Sequence, residues 1–259
     1  VQEWQAGLAM VTDHYQKGRV ILAGDSVHLF TPSGGFGFNT GIDDAANIGW
    51  KLAAMVKGFG GDKLIESYEI ERRPIGVRNT TVSGEYADKI GSLQFPDFIE
   101  EDSARGNAAR KVLRVDLASF KEEFASLGIV LGARYDGSPL IVSDGTAPPP
   151  DEPAKYIPSA TPGGRLPHYW IGETDSVFDQ LGPWFNLLQI GPDVPDISAF
   201  TQAAEEIAVT LNVVRVEEAA AEELYEAKLL LVRPDQHIAW RGDTVPTDVS
   251  EILKVVIGR

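Results

Sequence analysis

The first clear element along the chain is Arg19-Val20-Ile21-Leu22-Ala23, a short apolar run stopped by Gly24-Asp25. A continuous run of this length predicts a strand buried on both faces, which needs neighbours on both sides. Only 18 residues precede it, so the rest of that sheet is expected outside the 259 residues. A glycine-rich loop, Ser33-Gly34-Gly35-Phe36-Gly37, then opens into a predicted helix over 39–57. Its apolar positions are Ile42, Ala45, Ala46, Gly49, Leu52, Ala53 and Val56, the spacing of one helical face, with Gly58 as C-cap. A second helix is predicted from Asp62 through Leu64, Ile65 and Tyr68 to Arg72-Arg73-Pro74, with helical sequence on to about Leu93. Another is predicted over 113–127, closed by Gly128.

The stretch 144–167, rich in Pro, Gly, Ser and Thr, reads as a long connection over a surface. Beyond it the period changes. Strands are predicted over 184–190, 213–216, 229–232 and 237–240, and helices over 197–211, 219–225 and 247–257, with a hairpin around Pro234-Asp235-Gln236. The order β-α-β, then β-β-α, is that of a thioredoxin-like core. The expected fold class is α/β: a strand, a glycine loop and long helices, then a thioredoxin-like domain. The expected boundaries are 1–128, a connecting segment 129–167, and 168–259. A length of 259 residues fits one or two domains.

Composition narrows the chemistry. There is no cysteine, which excludes disulfide frameworks, thiolate metal sites and thiol nucleophiles. The net charge of −15 repels phosphate backbones and anionic lipid, so neither nucleic acid nor membrane is expected as a partner. The start, Val1-Gln2-Glu3-Trp4, has neither the basic nor the apolar region of a secretory leader, and a cytoplasmic location is expected. His14, His28, His168 and His237 show no ligand spacing, and no metal site is expected. Acidic pairs such as Asp43-Asp44 read as solvated helix faces.

A strand ending in Gly24-Asp25, a glycine loop and a helix N-terminus can hold an anionic or polar ligand, because glycines admit close backbone approach and the helix dipole favours negative charge. Local pattern alone leaves a plain strand–helix turn equally open. The longer string decides. Gly18-Arg19-Val20-Ile21-Leu22-Ala23-Gly24-Asp25-Ser26-Val27-His28, Pro32-x-Gly34-Gly35-x-Gly37-Phe38-Asn39-Thr40-Gly41-Ile42-x-Asp44-Ala45-x-Asn47 and Trp50-Lys51-Leu52 resemble the second flavin-binding motif of FAD-dependent aromatic hydroxylases of the phenol and hydroxyphenylpropionate hydroxylase type. Tyr68-Glu69-x-Glu71-Arg72-Arg73-Pro74 and Pro162-Gly163-x-Arg165-x-Pro167-His168 extend the match.

The resemblance implies that the first part of the α/β fold is the C-terminal portion of a FAD-binding domain with long helices, and it implies roles. Asp25, after Gly24, would hydrogen-bond the ribityl chain of FAD. Pro32 would face the flavin ring, and Gly35, Gly37, Phe38 and Asn39 would contact its pyrimidine end. Reduced flavin carries negative charge there, and a helix N-terminus stabilises such charge by about 0.3–1 kcal/mol. Ser26 and Phe38 replace the family's usual Ala and Met. The family's N-terminal Gly-x-Gly-x-x-Gly unit and its middle Asp-Gly motif do not occur in this sequence. The chain is therefore expected to carry half a flavin site, no catalytic residue of its own, and to be inactive alone. The implied parent hydroxylates a phenolic or related aromatic substrate with NAD(P)H and O2. Its expected partners are that substrate, the missing N-terminal FAD-binding portion and a second copy in a homodimer. The alternative is a non-catalytic binding or scaffolding module with a vestigial flavin half-site.

Overall fold

The computed structural model describes residues 9–259, so the reading of Val1–Trp4 lies outside the described residues. Two short antiparallel pairs come first: β1 (Met10–Val11) with β4 (His28–Leu29), and β2 (Gln16–Lys17) with β3 (Val20–Ile21). The run from Arg19 to Ala23 is thus not a strand buried on both faces. Only Val20 and Ile21 enter a ladder, their one partner among the described residues is β2, and Val20 is 63% exposed.

Helices α1 (Phe36–Lys57) and α2 (Lys63–Gly91) follow. Gly35 and Gly58 bound α1 in the left-handed conformation that glycine adopts without strain. Pro74 lies inside α2 and removes the N–H that would bond the Ile70 carbonyl. The helix continues unbroken because its neighbours on both sides of Pro74 are fixed by packing: Tyr68, Glu71, Arg72 and Ile75 are all buried.

The apolar face predicted for α1 is its open face. Val56 is 89% exposed, and Ile42 and Leu52 are also exposed, whereas the buried side carries Thr40, Asp44, Asn47 and Lys51 among Phe36, Ile48, Trp50 and Ala54. Periodicity found the stripe but assigned it the wrong side, because here polar groups are buried against matching partners.

The region predicted as one helix over 113–127 is α3 (Ala104–Ala118), a break at Ser119–Phe120, and two short helices, α4 (Lys121–Phe124) and α5 (Leu127–Leu131). Ser103 caps α3 by accepting from the Gly106 N–H. Gly128 lies within α5 rather than closing a helix.

A small pair, β5 (Trp170–Ile171) and β6 (Asp175–Ser176), precedes the main sheet. That sheet holds β7 (Phe185–Ile190), β8 (Leu211–Val216), β9 (Leu229–Val232) and β10 (Ile238–Gly242) in the order β10-β9-β7-β8. β7 runs parallel to β8 and antiparallel to β9, and β9 and β10 form a hairpin. With α6 (Ser198–Glu206), α7 (Ala220–Tyr225) and α8 (Val249–Val256), this is the thioredoxin-like order. Phe200, Leu253 and Val256 of α6 and α8 share one core, and Ala221 and Tyr225 of α7 share the other.

The first of these cores also takes in Trp50 and Ala54 of α1, Leu64 of α2 and Leu140. Trp50 meets Phe185 edge to face, with ring centroids 5.8 Å apart. The stretch 144–167 is not wholly a surface connection. Residues 160–164 and Leu166 are buried, with backbone groups satisfied by β10 and the turn before it: Gly163 N–H donates to Ile238 O (2.8 Å), and Leu166 N–H to Gln236 O (2.8 Å).

Candidate functional site

Gly24, Asp25 and Ser26 form one tight turn. Ser26 Oγ donates to Ala23 O (2.7 Å) and accepts from Ala23 N–H (3.1 Å), so this serine closes the turn. Gly24 has φ +60°, and its Cα lies so near α1 that a Cβ on Gly41 would come within 3.2 Å of it. Asp25 is exposed.

The turn is anchored from below by Asp44. Its Oδ2 accepts from the Gly24 N–H (3.1 Å) and from His28 Nε2 (2.7 Å), and its Oδ1 accepts from Arg72 Nε (2.8 Å). All three side chains are buried. Burial alone would raise the Asp44 carboxyl; the His28 hydrogen bond and the Arg72 charge outweigh it and hold the group below the usual carboxylate range. Asp44 is therefore no solvated face residue, and sequence reasoning missed its role. Its signal was available: it stands 20 residues after Gly24, on the turn of α1 above Gly41.

The second half of the predicted set lies at the start of α1. Pro32 leads into a tight turn over Ser33–Gly35, where Gly34 (φ +74°) and Gly35 (φ +66°) reverse the chain. Pro32, Gly35, Phe38 and Asn39 are exposed, Phe38 at 78%. Gly37 packs against the Phe30 ring. Asn39 Nδ2 donates back to Gly35 O (2.9 Å) and braces the loop. No side chain caps the first turn and no acidic residue lies in it, so its backbone N–H groups stay available. A cavity of about 280 Å³ opens beside it, lined by Gly34, Phe36, Asn39, Thr40 and Asn79. The fold thus seats the Gly24–Asp25 turn and the Pro32–Asn39 segment about one end of α1. An uncapped helix N-terminus, a glycine cradle with open space at Gly35 and an exposed carboxylate suit a flavin with an anionic ring and a hydroxyl-rich chain.

The FAD binding domain family matches residues 2–83, and the aromatic-ring hydroxylase C-terminal family matches residues 159–259. The chain thus joins part of a FAD binding domain to an aromatic-ring hydroxylase C-terminal domain. It is 34% identical over 237 residues to the FAD-dependent monooxygenase opdD of Penicillium oxalicum, covering 88% of this chain and 45% of that one. It is 33% identical over 274 residues to phenol 2-monooxygenase of a Pseudomonas species, covering 93% and 45%. Among solved structures, RebC with bound 7-carboxy-K252c superposes with a TM-score of 0.88 at 36% identity, over 96% of this chain and 48% of that one. The chain spans about half the length of the curated relatives it matches. Both relatives are named as monooxygenases, which favours the enzyme reading over a scaffolding module.

A second buried cluster joins α1, α2 and the turn between β9 and β10. The Glu71 carboxylate of α2 accepts from Lys51 Nζ (2.6 Å), Asn47 Nδ2 (2.7 Å), Ser138 Oγ (2.5 Å) and both terminal nitrogens of Arg233 (2.6 and 2.8 Å). Arg233 also holds Asp235, which accepts from Trp50 Nε1 (3.2 Å) and Asn47 Nδ2 (3.1 Å). Burial would raise Glu71, but the charges of Arg233 and Lys51 pull it well below the usual range. Lys51 is pushed down to about 8 by burial, against the pull of Glu71. His237 stacks on Tyr135 at 3.9 Å, and burial takes it down to about 4, so it is neutral at pH 7. His14 is exposed beside Glu69, and His168 packs on Trp170. Arg165 donates to Gln236 Oε1 (3.1 Å) and lies over the Phe178 ring.

Proposed function

We propose that this chain is the C-terminal part of a FAD-dependent monooxygenase that hydroxylates a phenolic or related aromatic ring with NAD(P)H and O2. The observation that carries the reading is the open N-terminus of α1, with Gly34 and Gly35 in left-handed conformation and the exposed Asp25 turn seated on the same helix. When bound, the flavin supplies the redox and oxygen chemistry. The first-turn N–H groups of α1 hold negative charge at its pyrimidine end, Asp25 accepts from the ribityl hydroxyls, and Pro32, Gly35, Gly37, Phe38 and Asn39 shape the wall. Asp44 keeps the Gly24 turn in place against α1.

The remaining flavin contacts belong to an N-terminal portion of the same protein. The apolar stripe Ile42, Ala45, Gly49, Leu52 and Val56 supports this, since it repeats along one side of α1 and is open to solvent in the described residues. That portion is the occupant proposed for the stripe and for the exposed Val20 and Leu22. The protein works in solution in the cytoplasm, in keeping with the absence, among the described residues, of a helix long and apolar enough to cross a membrane. A homodimer is the proposed assembly.

The test is made on the full-length protein. Purified and desalted, it retains FAD with a flavin absorbance spectrum, and a panel of phenols stimulates its NAD(P)H oxidation. Asp25→Ala weakens FAD retention while the melting temperature of the apoprotein holds. Full-length protein that keeps no flavin, or whose NAD(P)H oxidation no aromatic compound stimulates, overturns the reading.

A further inference from the structure

We infer that the thiol-free thioredoxin-like unit is a positioning element for the flavin loop, acting through Arg233 and Asp235 in the turn between β9 and β10. The inference rests on the flavin reading above and goes beyond it, because Arg233 and Asp235 make no hydrogen bond to any residue proposed to hold the cofactor.

The geometry forms one unbroken buried path. Arg233 grips Glu71 with two hydrogen bonds. Glu71 is bonded to Asn47 and Lys51 of α1, and its chain neighbour Arg72 is bonded to Asp44 of α1 and to the Thr40 carbonyl (3.3 Å). Asp44 then holds the Gly24 N–H. Arg233, Glu71, Arg72, Asp44, Asn47 and Lys51 are all buried.

This path matters because of what α1 buries. A helix seated on apolar side chains can shift or rotate slightly with little loss, since dispersion contacts are non-directional. The buried side of α1 instead carries Thr40, Asp44, Asn47 and Lys51, whose bonds tolerate neither a slide nor a rotation. The helix is therefore held at one axial position, and the partner that fixes it from the far side is Arg233. Its planar fork satisfies Glu71 and Asp235 at once, and Trp50 Nε1 ties Asp235 back to α1. The axial position of α1 sets where the first-turn N–H groups at Phe36–Asn39 stand relative to the Gly24–Asp25 turn. A tail without cysteine has no thiol chemistry to perform; its turn instead fixes the half-site.

The test compares FAD dissociation constants of the full-length protein by flavin fluorescence at a temperature well below melting, with melting temperatures recorded for each variant. Arg233→Lys and Asp235→Asn are the disruptive changes. Trp50→Phe is the mild one, removing a single bond to Asp235. Arg241→Lys is the control: this cation is buried in the same unit and pairs with Asp144 and Glu226, away from α1 and α2. Arg233→Lys and Asp235→Asn are expected to raise the FAD dissociation constant about tenfold and Trp50→Phe about twofold to threefold, as for a coupling between distant sites. Arg241→Lys lowers the melting temperature and leaves FAD affinity unchanged. Should either disruptive variant fail to fold, Trp50→Phe decides by the same comparison. The inference is overturned if FAD affinity is unchanged in the Arg233, Asp235 and Trp50 variants, or if it falls in Arg241→Lys in step with melting temperature. Wild-type protein that binds no FAD overturns the flavin reading first, before any variant is compared.

Discussion

Glu71→Gln is the sharpest probe of the buried cluster. The native group is electrically balanced: Lys51 and Arg233 against Glu71 and Asp235. Glutamine keeps the volume and removes one negative charge, so Arg233 retains Asp235 while Lys51 loses its one anionic partner among the described residues, and the new amide NH2 faces donors that the carboxylate accepted. Removing one member of a buried ion pair costs about 3–5 kcal/mol. For a protein of this size each kcal/mol moves the melting temperature by roughly 2–4 °C, which gives a fall of about 6–20 °C. The variant's stability should also climb as pH rises. Burial already brings Lys51 down to about 8 from 10.5, and without Glu71 it falls further. Between the folded and unfolded values the unfolded state binds more protons, so stability increases with pH across that window. The double variant Lys51→Met/Glu71→Met, with both charges gone, should recover a large part of the loss. The assay is thermal and urea unfolding, followed by circular dichroism at pH 7 and pH 9, of wild type, Glu71→Gln, the double variant and its two single members, Lys51→Met and Glu71→Met. A Glu71→Gln variant melting within about 2 °C of wild type, or a double variant as unstable as the summed single ones, would refute the reasoning.

Two further outcomes follow from the same geometry. His237, at about 4 in the folded protein against 6.5 unfolded, makes stability drop as pH falls from 6.5 toward 4 by roughly 3 kcal/mol; urea titrations of His237→Phe should lack that part of the acid limb. Gly41→Ala gains helix propensity, about 1 kcal/mol, but sets a Cβ 3.2 Å from the Gly24 Cα, so the turn must yield by a few tenths of an ångström. FAD affinity should fall while the melting temperature stays level or rises, and unchanged affinity would show that the turn has room.

The thioredoxin-like half was legible because its signals are local. Short Val- and Leu-rich runs such as Leu229–Val232 alternate with helical segments and turn residues, and the observed order of elements along the chain follows the predicted one. The flavin half was legible as a motif more than as a pattern. Hydrophobic periodicity assigned α1 to the wrong side, because the reasons for burying Asn47 and Lys51 lie elsewhere: Glu71 on α2, and behind it Arg233, 162 residues further along the chain. No window of local sequence contains both partners. The same holds for Asp44, whose acidic pair with Asp43 looked like solvent-facing charge until Arg72 and His28 were placed against it.

The mixed core of α1, the sheet and α8 carries a consequence for how this chain is made. Trp50 and Ala54 share one apolar cluster with Leu253, Val256 and Ile257, and the Gly61 N–H donates to the Ile257 carbonyl at 2.7 Å. During vectorial synthesis the first half of the chain therefore waits, with Trp50 and Phe59 uncovered, until residues beyond 250 have left the ribosome. Contacts of such long separation close slowly and leave sticky intermediates exposed in the meantime. A stop codon just before α8 would strip one face of the sheet and the apolar partners of Trp50 and Ala54 together, so protein truncated there should aggregate.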